Sequence, residues 1–176
     1  IPIFPDNKRS HKELHLVEPT PSHHELANEL IRVAFAQKDS EMGLVTFYRH
    51  ALSDKDAEVF FATGHSTENK ITTPEGYGNG KITVNGRPLK YFVDYFGKSV
   101  VDFIKVDIES AEIFALTIEN INSVAGKVRT FFVECHPSNN YGMDACREEL
   151  KARFEKCNYE VEVLDFQTLV ATNKAI

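Results

Sequence analysis

The sequence predicts an α/β protein built on an open sheet. Strand and helix patterns alternate along the chain, two nearly continuous apolar strand patterns each precede a helix pattern, and the last two strand patterns are joined by a short turn. A length of 176 residues suits a single domain, expected over residues 1–176, with a hydrophobic core. Apolar residues at 42% and charged residues at 26% exclude a disordered or collagen-like chain. Lys and Arg number 20 against 26 Asp and Glu, a formal net charge of −6. That balance lacks the basic footprint of a nucleic-acid binder or a polybasic membrane module. No apolar run reaches the ~20 residues of a membrane helix. Three evenly spaced cysteines, Cys135, Cys146 and Cys157, form no CxxC pair and read as small buried apolar residues. They suit a reducing, cytoplasmic compartment.

Each element has its own signal. Leu14 to Val17 is a short apolar run that ends in Glu18 and then meets Pro19 and Pro21. Ser22 and Glu25 have the spacing of a capping box. The helix expected after them carries Leu26, Leu30 and Ala34 on one stripe, with Ala27, Ile31 and Phe35 beside it, as on a helix packed against a sheet. Leu44 to Leu52 and Glu58 to Thr63 are rich in β-formers and read as strands. Residues 64–80 have a loop composition with several glycines. Gly76-Tyr77-Gly78-Asn79-Gly80 is not followed by a helix pattern, so it reads as a surface loop and not a phosphate cradle. Lys81 to Val84 then runs through Asn85-Gly86 into Arg87-Pro88-Leu89, a hairpin signal, because Asn-Gly tolerates positive φ at both central positions.

The second half of the chain is more regular. Val100 to Ile108 reads as a strand covered on both faces. Ala111 to Val124 reads as one helix with Gly126 beyond its end, and Val128 to His136 as a second buried strand stopped by Pro137. Met143 to Cys157 is an amphipathic helix, and Tyr159 to Leu164 with Thr168 to Thr172 forms a terminal hairpin.

Ligands of open α/β sheets bind beyond the carboxyl ends of the strands. The residues ending successive strands are Glu18, then Ser53-Asp54, then Asp107 and Glu109, then Glu134 and His136. Lys105, Asp107 and Glu109 are two apart, as are Glu134 and His136, so each set is expected on one face. Such a row has the chemistry to bind an amine, orient a hydroxyl or hold a divalent cation. It also has the chemistry to tie strand ends to helix N-termini. His136, ahead of Pro137, suits a base or ligand. Glu18 suits a carboxylate that accepts both hydroxyls of a ribose, in a nicotinamide or an S-adenosylmethionine fold, and the residues alone leave these two open.

The segment Val101-Asp102-Phe103-Ile104-Lys105-Val106-Asp107-Ile108-Glu109-Ser110-Ala111-Glu112 resembles the signature strand of the FkbM-type S-adenosylmethionine-dependent methyltransferases, which reads Lys-Ile-Asp-Val-Glu-Gly-Ala-Glu. Val17-Glu18-Pro19-Thr20-Pro21 is similar to the family's Glu-Pro-x-Pro element, and Ala51-Leu52-Ser53-Asp54 to its Ala-Leu-Ser-Asp element. Phe131-Phe132-Val133-Glu134-Cys135-His136 is similar to its fifth strand. These four parts occur in the family's order from about residue 14 onward.

The resemblance implies a Rossmann-like class I methyltransferase sheet, mostly parallel with an antiparallel C-terminal strand. It implies S-adenosylmethionine as cofactor and a small-molecule or sugar hydroxyl as methyl acceptor. Glu18, Ser53, Asp54, Asp107 and Glu109 would line the cofactor, with Glu18 at the ribose and Asp54 at the adenine amine. His136, Asp107 and Lys105 would be the catalytic set, with no resident metal. Ser110 departs from the family's glycine. The family's first strand and its Asp-x-Gly-Ala-x-x-Gly turn should precede Glu18 by about twenty residues. Residues 1–13 contain no glycine, so the chain is expected to be the C-terminal part of a longer protein. The open edge would then be covered by a second copy, as a homodimer. Whether this chain itself catalyses stays open against a non-catalytic binding module of the same fold and a nicotinamide-dependent oxidoreductase.

Overall fold

The computed structural model describes residues 12–36, 42–62, 71–72, 81–97, 100–138 and 141–176. The chain divides into two compact units, Ile1–Arg49 and His50–Ile176.

The first unit is a strand–helix–strand motif. β1 (Lys12–Val17) and β2 (Met42–Tyr48) pair in parallel, joined by α1 (Pro21–Ala36). Parallel neighbours need such a crossover, because a tight turn reverses the chain. Glu18 stays in the ladder through its N–H, which donates to the Tyr48 carbonyl at 3.0 Å. The helix starts two residues earlier than a Ser22 cap requires. The Thr20 carbonyl accepts the His24 N–H at 2.9 Å, and Pro21 takes the first helical position, where its missing N–H costs nothing. The expected inward stripe is only partly covered: Leu26 and Leu30 remain 58% and 60% exposed. A two-stranded sheet is too narrow to cover a wide apolar helix face.

In the second unit, β3 (His50–Leu52), β4 (Ala57–Ala62), β5 (Ile71–Thr72) and β6 (Lys81–Arg87) form a sheet in the order β3-β6-β4-β5. β3 runs parallel to β6, whereas β4 runs antiparallel to β6 and β5. The run Leu44 to Leu52 is therefore two strands, interrupted at Arg49. The Asn85-Gly86 pair makes no hairpin. β6 continues straight through it, with Asn85 opposite His50 on one side and Glu58 on the other. Gly86 is required by close approach: a Cβ there would lie 2.6 Å from Val59 Cγ2 and 2.7 Å from Ser53 Oγ. Pro88 follows as the N-cap of α2 (Leu89–Tyr95), a helix whose buried Leu89, Phe92 and Val93 have helical spacing. Within the segment read as a glycine-containing loop, residues 64–70 and 73–80 lie outside the described residues.

The larger core belongs to the sheet β7-β8-β10-β9, built from β7 (Val101–Val106), β8 (Val128–Glu134), β9 (Glu160–Val163) and β10 (Thr168–Thr172). β7 and β8 are parallel, while β10 is antiparallel to both β8 and β9. Across the described residues the sheets are mixed, not mostly parallel, because β4–β6 and the terminal hairpin contribute antiparallel pairs. Phe131, Phe154 and Tyr159 interlock with ring centroids 5.1–5.6 Å apart, and the Tyr159 hydroxyl donates to the Val128 carbonyl at 3.0 Å. Burying each such ring contributes about 1.5–3 kcal/mol.

The helix expected over 111–124 is two short ones, α3 (Glu112–Ala115) and α4 (Ile118–Asn122). Thr117 caps the second by accepting the Asn120 N–H, a competing local bond that ends the first. Arg153, on α5 (Met143–Lys156), donates to the carbonyls of Ile113 and Leu116 that the break leaves open. Buried Asn120 ties the parts together. Its Oδ1 accepts the Leu89 N–H, while its Nδ2 donates to the carbonyls of Ala115 and Ser53. The three cysteines are free and buried, as expected. Burial first, then the charges of Cys146 and Glu112, pushes the Cys135 thiol up to about 12.

Candidate functional site

Parallel pairing of β7 with β8 puts their carboxyl ends side by side, and polar side chains from both converge there. Lys105 Nζ donates to Asp107 Oδ2 at 2.8 Å and lies 3.6 Å from Glu134 Oε2 on the neighbouring strand. The Asp107 hydrogen bond holds the Lys105 ammonium above the ordinary lysine value, despite partial burial. Lys105 is thus a fixed cation that neutralises charge and is unsuited to accept a proton.

β7 ends at Val106, so strand alternation does not carry Glu109 to the same face. A turn does so instead. The Ala111 N–H donates to the Ile108 carbonyl, and the two residues between have positive φ, 52° at Glu109 and 80° at Ser110. That is the φ pattern of a primed turn, which glycine and asparagine favour. It leaves Glu109 Oε2 3.9 Å from His136 Nε2. Ser110 occupies a glycine-like backbone at the position where the resembled family carries glycine.

His136, mostly buried, is held from behind. Its Nδ1 lies 3.0 Å from Oε1 of Glu112, the first residue of α3 and a fully buried carboxyl. The same Oε1 accepts the Ile108 N–H at 2.9 Å, and Oε2 is buried without a hydrogen-bond partner among the described residues. Burial raises the Glu112 pKa, against the opposing pull of its backbone hydrogen bonds and of His136. Burial lowers that of His136, but the Glu112 hydrogen bond and charge, with Glu109 and Asp107, more than reverse it, leaving His136 above the ordinary histidine value. Both directions mean that the pair retains a proton to higher pH.

Asp107, Glu109 and His136 each offer one ligand-type atom within 4.8 Å of the others. These are ligand types that a divalent cation accepts, although the Lys105 ammonium already counters the charge of Asp107.

The structure thus brings together Lys105, Asp107, Glu109, Glu134 and His136. Ser53 and Asp54 lie elsewhere in the second unit, after β3. Ser53 Oγ donates to the Lys55 carbonyl at 2.6 Å, closing a local turn, and exposed Asp54 borders an open groove with Phe114, Thr117, Glu149 and Arg153. Glu18 belongs to the first unit. Its Oε1 accepts the Thr20 N–H at 2.7 Å and lies 3.9 Å from His23 Nδ1. Sequence reasoning missed Glu112 as a site residue. The available signal was a carboxylate directly before Ile113, which the apolar pattern places inside.

Searches of curated proteins and of solved structures return no match. The family model for the methyltransferase FkbM domain matches residues 3–161, which include the paired ends of β7 and β8 and the turn carrying Glu109 and Ser110. The chain belongs to the FkbM methyltransferase family.

Proposed function

We propose that the chain serves S-adenosylmethionine-dependent methylation of a hydroxyl oxygen on a small molecule or sugar, in a Rossmann-like class I architecture. The observation supporting this most directly is the convergence of Lys105, Asp107, Glu134 and His136 at adjacent parallel strand ends, in a chain of this family. The donor chemistry fits the cofactor. A carboxylate accepts hydrogen bonds from several directions, and of the two Glu18 oxygens the Thr20 N–H engages Oε1, leaving capacity for a ribose diol. Exposed Asp54 has acceptor oxygens suited to an adenine amine. S-adenosylmethionine supplies an electrophilic methyl group on a sulfonium centre.

The chain's own groups have narrower tasks. Asp107 and Glu109 orient the acceptor hydroxyl or a ligand amine, and Lys105 balances their charge. His136 takes the hydroxyl proton, and alignment of the two reactants supplies most of the rate. No helix among the described residues is long and apolar enough to cross a membrane, and buried unpaired cysteines suit a reducing cytoplasm.

Calorimetric titration with S-adenosylhomocysteine tests the reading. Micromolar binding is expected, weakened at least tenfold by Glu18→Ala, which removes a bidentate acceptor. An absence of heat and of any thermal shift would favour a non-catalytic module of the same fold.

A further inference from the structure

Among the described residues of the second unit, Glu112 is a fully buried ionisable group. It is fully buried at the start of a short helix, with apolar Ala111 and Ile113 beside it also buried. Its one described side-chain partner is His136. Burying a carboxyl costs several kcal/mol unless its hydrogen bonds are met, and here Oε2 has none among the described residues. A purely structural link between the ends of β7 and β8 needs no such group, since backbone pairing already joins these strands.

The hydrogen bonds decide which ring nitrogen of His136 carries the hydrogen. Oε1 accepts the Ile108 N–H, and ionised Glu112, which has acceptors only, faces Nδ1 as an acceptor as well. Nδ1 then carries the hydrogen in the neutral ring, and Nε2 keeps its lone pair. Nε2 lies 3.9 Å from both Glu109 Oε2 and Glu134 Oε1, too far for a hydrogen bond to either. It therefore faces the polar cluster as an acceptor.

We propose that Glu112 is a positioning residue, whose buried carboxyl holds His136 in the Nδ1–H tautomer and so leaves Nε2 to accept the proton of the hydroxyl being methylated. The proposal rests on the methyl-transfer reading above. The step given to the pair is proton transfer alone. The O–H bond of the acceptor breaks, an Nε2–H bond forms, and the oxygen keeps the electron pair. The resulting imidazolium is paired with Glu112 behind it and faces the carboxylates of Glu109, Glu134 and Asp107. Lys105, which already bonds Asp107 and approaches Glu134, limits the negative charge of that group.

Long-range ¹H–¹⁵N correlation of the imidazole nitrogens in the ¹⁵N-labelled chain, across a pH series, reads the tautomer and the titration midpoint. In the wild type, neutral His136 should carry its hydrogen on Nδ1. Glu112→Gln keeps the acceptor oxygen and removes the charge, so the tautomer should persist while the midpoint moves down. Glu112→Leu removes the acceptor, and Nδ1–H should lose its dominance to Nε2–H, the form favoured in free histidine. A role confined to packing would leave the tautomer unmoved in Glu112→Leu, and that result overturns the proposal. So does a wild-type ring with its hydrogen on Nε2, which needs no variant to fold. S-adenosylhomocysteine binding is scored separately: its failure removes the methyl-transfer reading even where the tautomer is as expected.

Discussion

Ser110 shows how a single side chain can carry backbone strain beside a site. Its φ of 80° follows Glu109 at 52°, and side chains with a Cβ adopt this region at a cost of about 1–2 kcal/mol. Ser110→Gly removes that cost but adds about 0.5–1 kcal/mol of unfolded-chain entropy. The variant should therefore be more stable by up to about 1.5 kcal/mol, a rise of a few degrees in calorimetric Tm. A lower Tm would mean that Ser110 sits there without strain. The same turn explains why residues two apart were only partly informative. Lys105 and Asp107 meet at 2.8 Å, as their spacing suggests. Glu109 reaches His136 because the chain reverses, and a two-residue period contains no such information. Glu112 is harder still, because its partner lies 24 positions away.

Elements were legible where their pattern was long and periodic. α5, β8, β10 and the terminal hairpin lie within a residue or two of their expected bounds, since their apolar positions face one continuous core. Local punctuation misled where tertiary pairing overrode it. Asn85-Gly86 is a strong hairpin signal in isolation, yet β6 pairs on both sides at this point and gains more from two ladders than from one turn. The glycine answers a steric demand instead. Gly86→Ala would press a methyl group against Val59 and Ser53 at 2.6 and 2.7 Å. Overpacking of this kind costs roughly 1–3 kcal/mol. The denaturant midpoint should fall accordingly with an unchanged slope, and a midpoint equal to that of the wild type would show that β3 and β4 yield easily. Similarly, the break between α3 and α4 depends on Thr117 and on Arg153 from a distant helix, which the apolar stripe from Ile113 to Ile121 conceals.

At the scale of the molecule, the Glu112–His136 pair couples stability to pH. A group whose pKa is raised by folding stabilises the fold below its unfolded value and loses that contribution as pH rises through its folded value. Both members are raised, from 4.5 and 6.5, so they act in the same direction. His50, lowered by burial and by Arg87, acts oppositely below 6.5, so a difference between two chains isolates the pair. The Tm advantage of wild type over the double variant Glu112→Gln/His136→Asn, which removes both groups, should be larger at pH 5.5 than at pH 9. A constant difference across this range would show that the pair does not bind its proton more tightly when folded.

By itself, the sequence determined the α/β class, the order of the principal elements, the family, and the strand-end residues of β7 and β8. Each of these follows from local periodicity, or from a contiguous motif such as Lys105 to Glu112. Tertiary structure alone decided that Glu112 backs His136, that Gly86 lies inside a strand, and that Asp54 borders a groove with Arg153. Each of those depends on atoms from distant parts of the chain meeting within a few ångströms, and separation in space is not encoded in spacing along the chain.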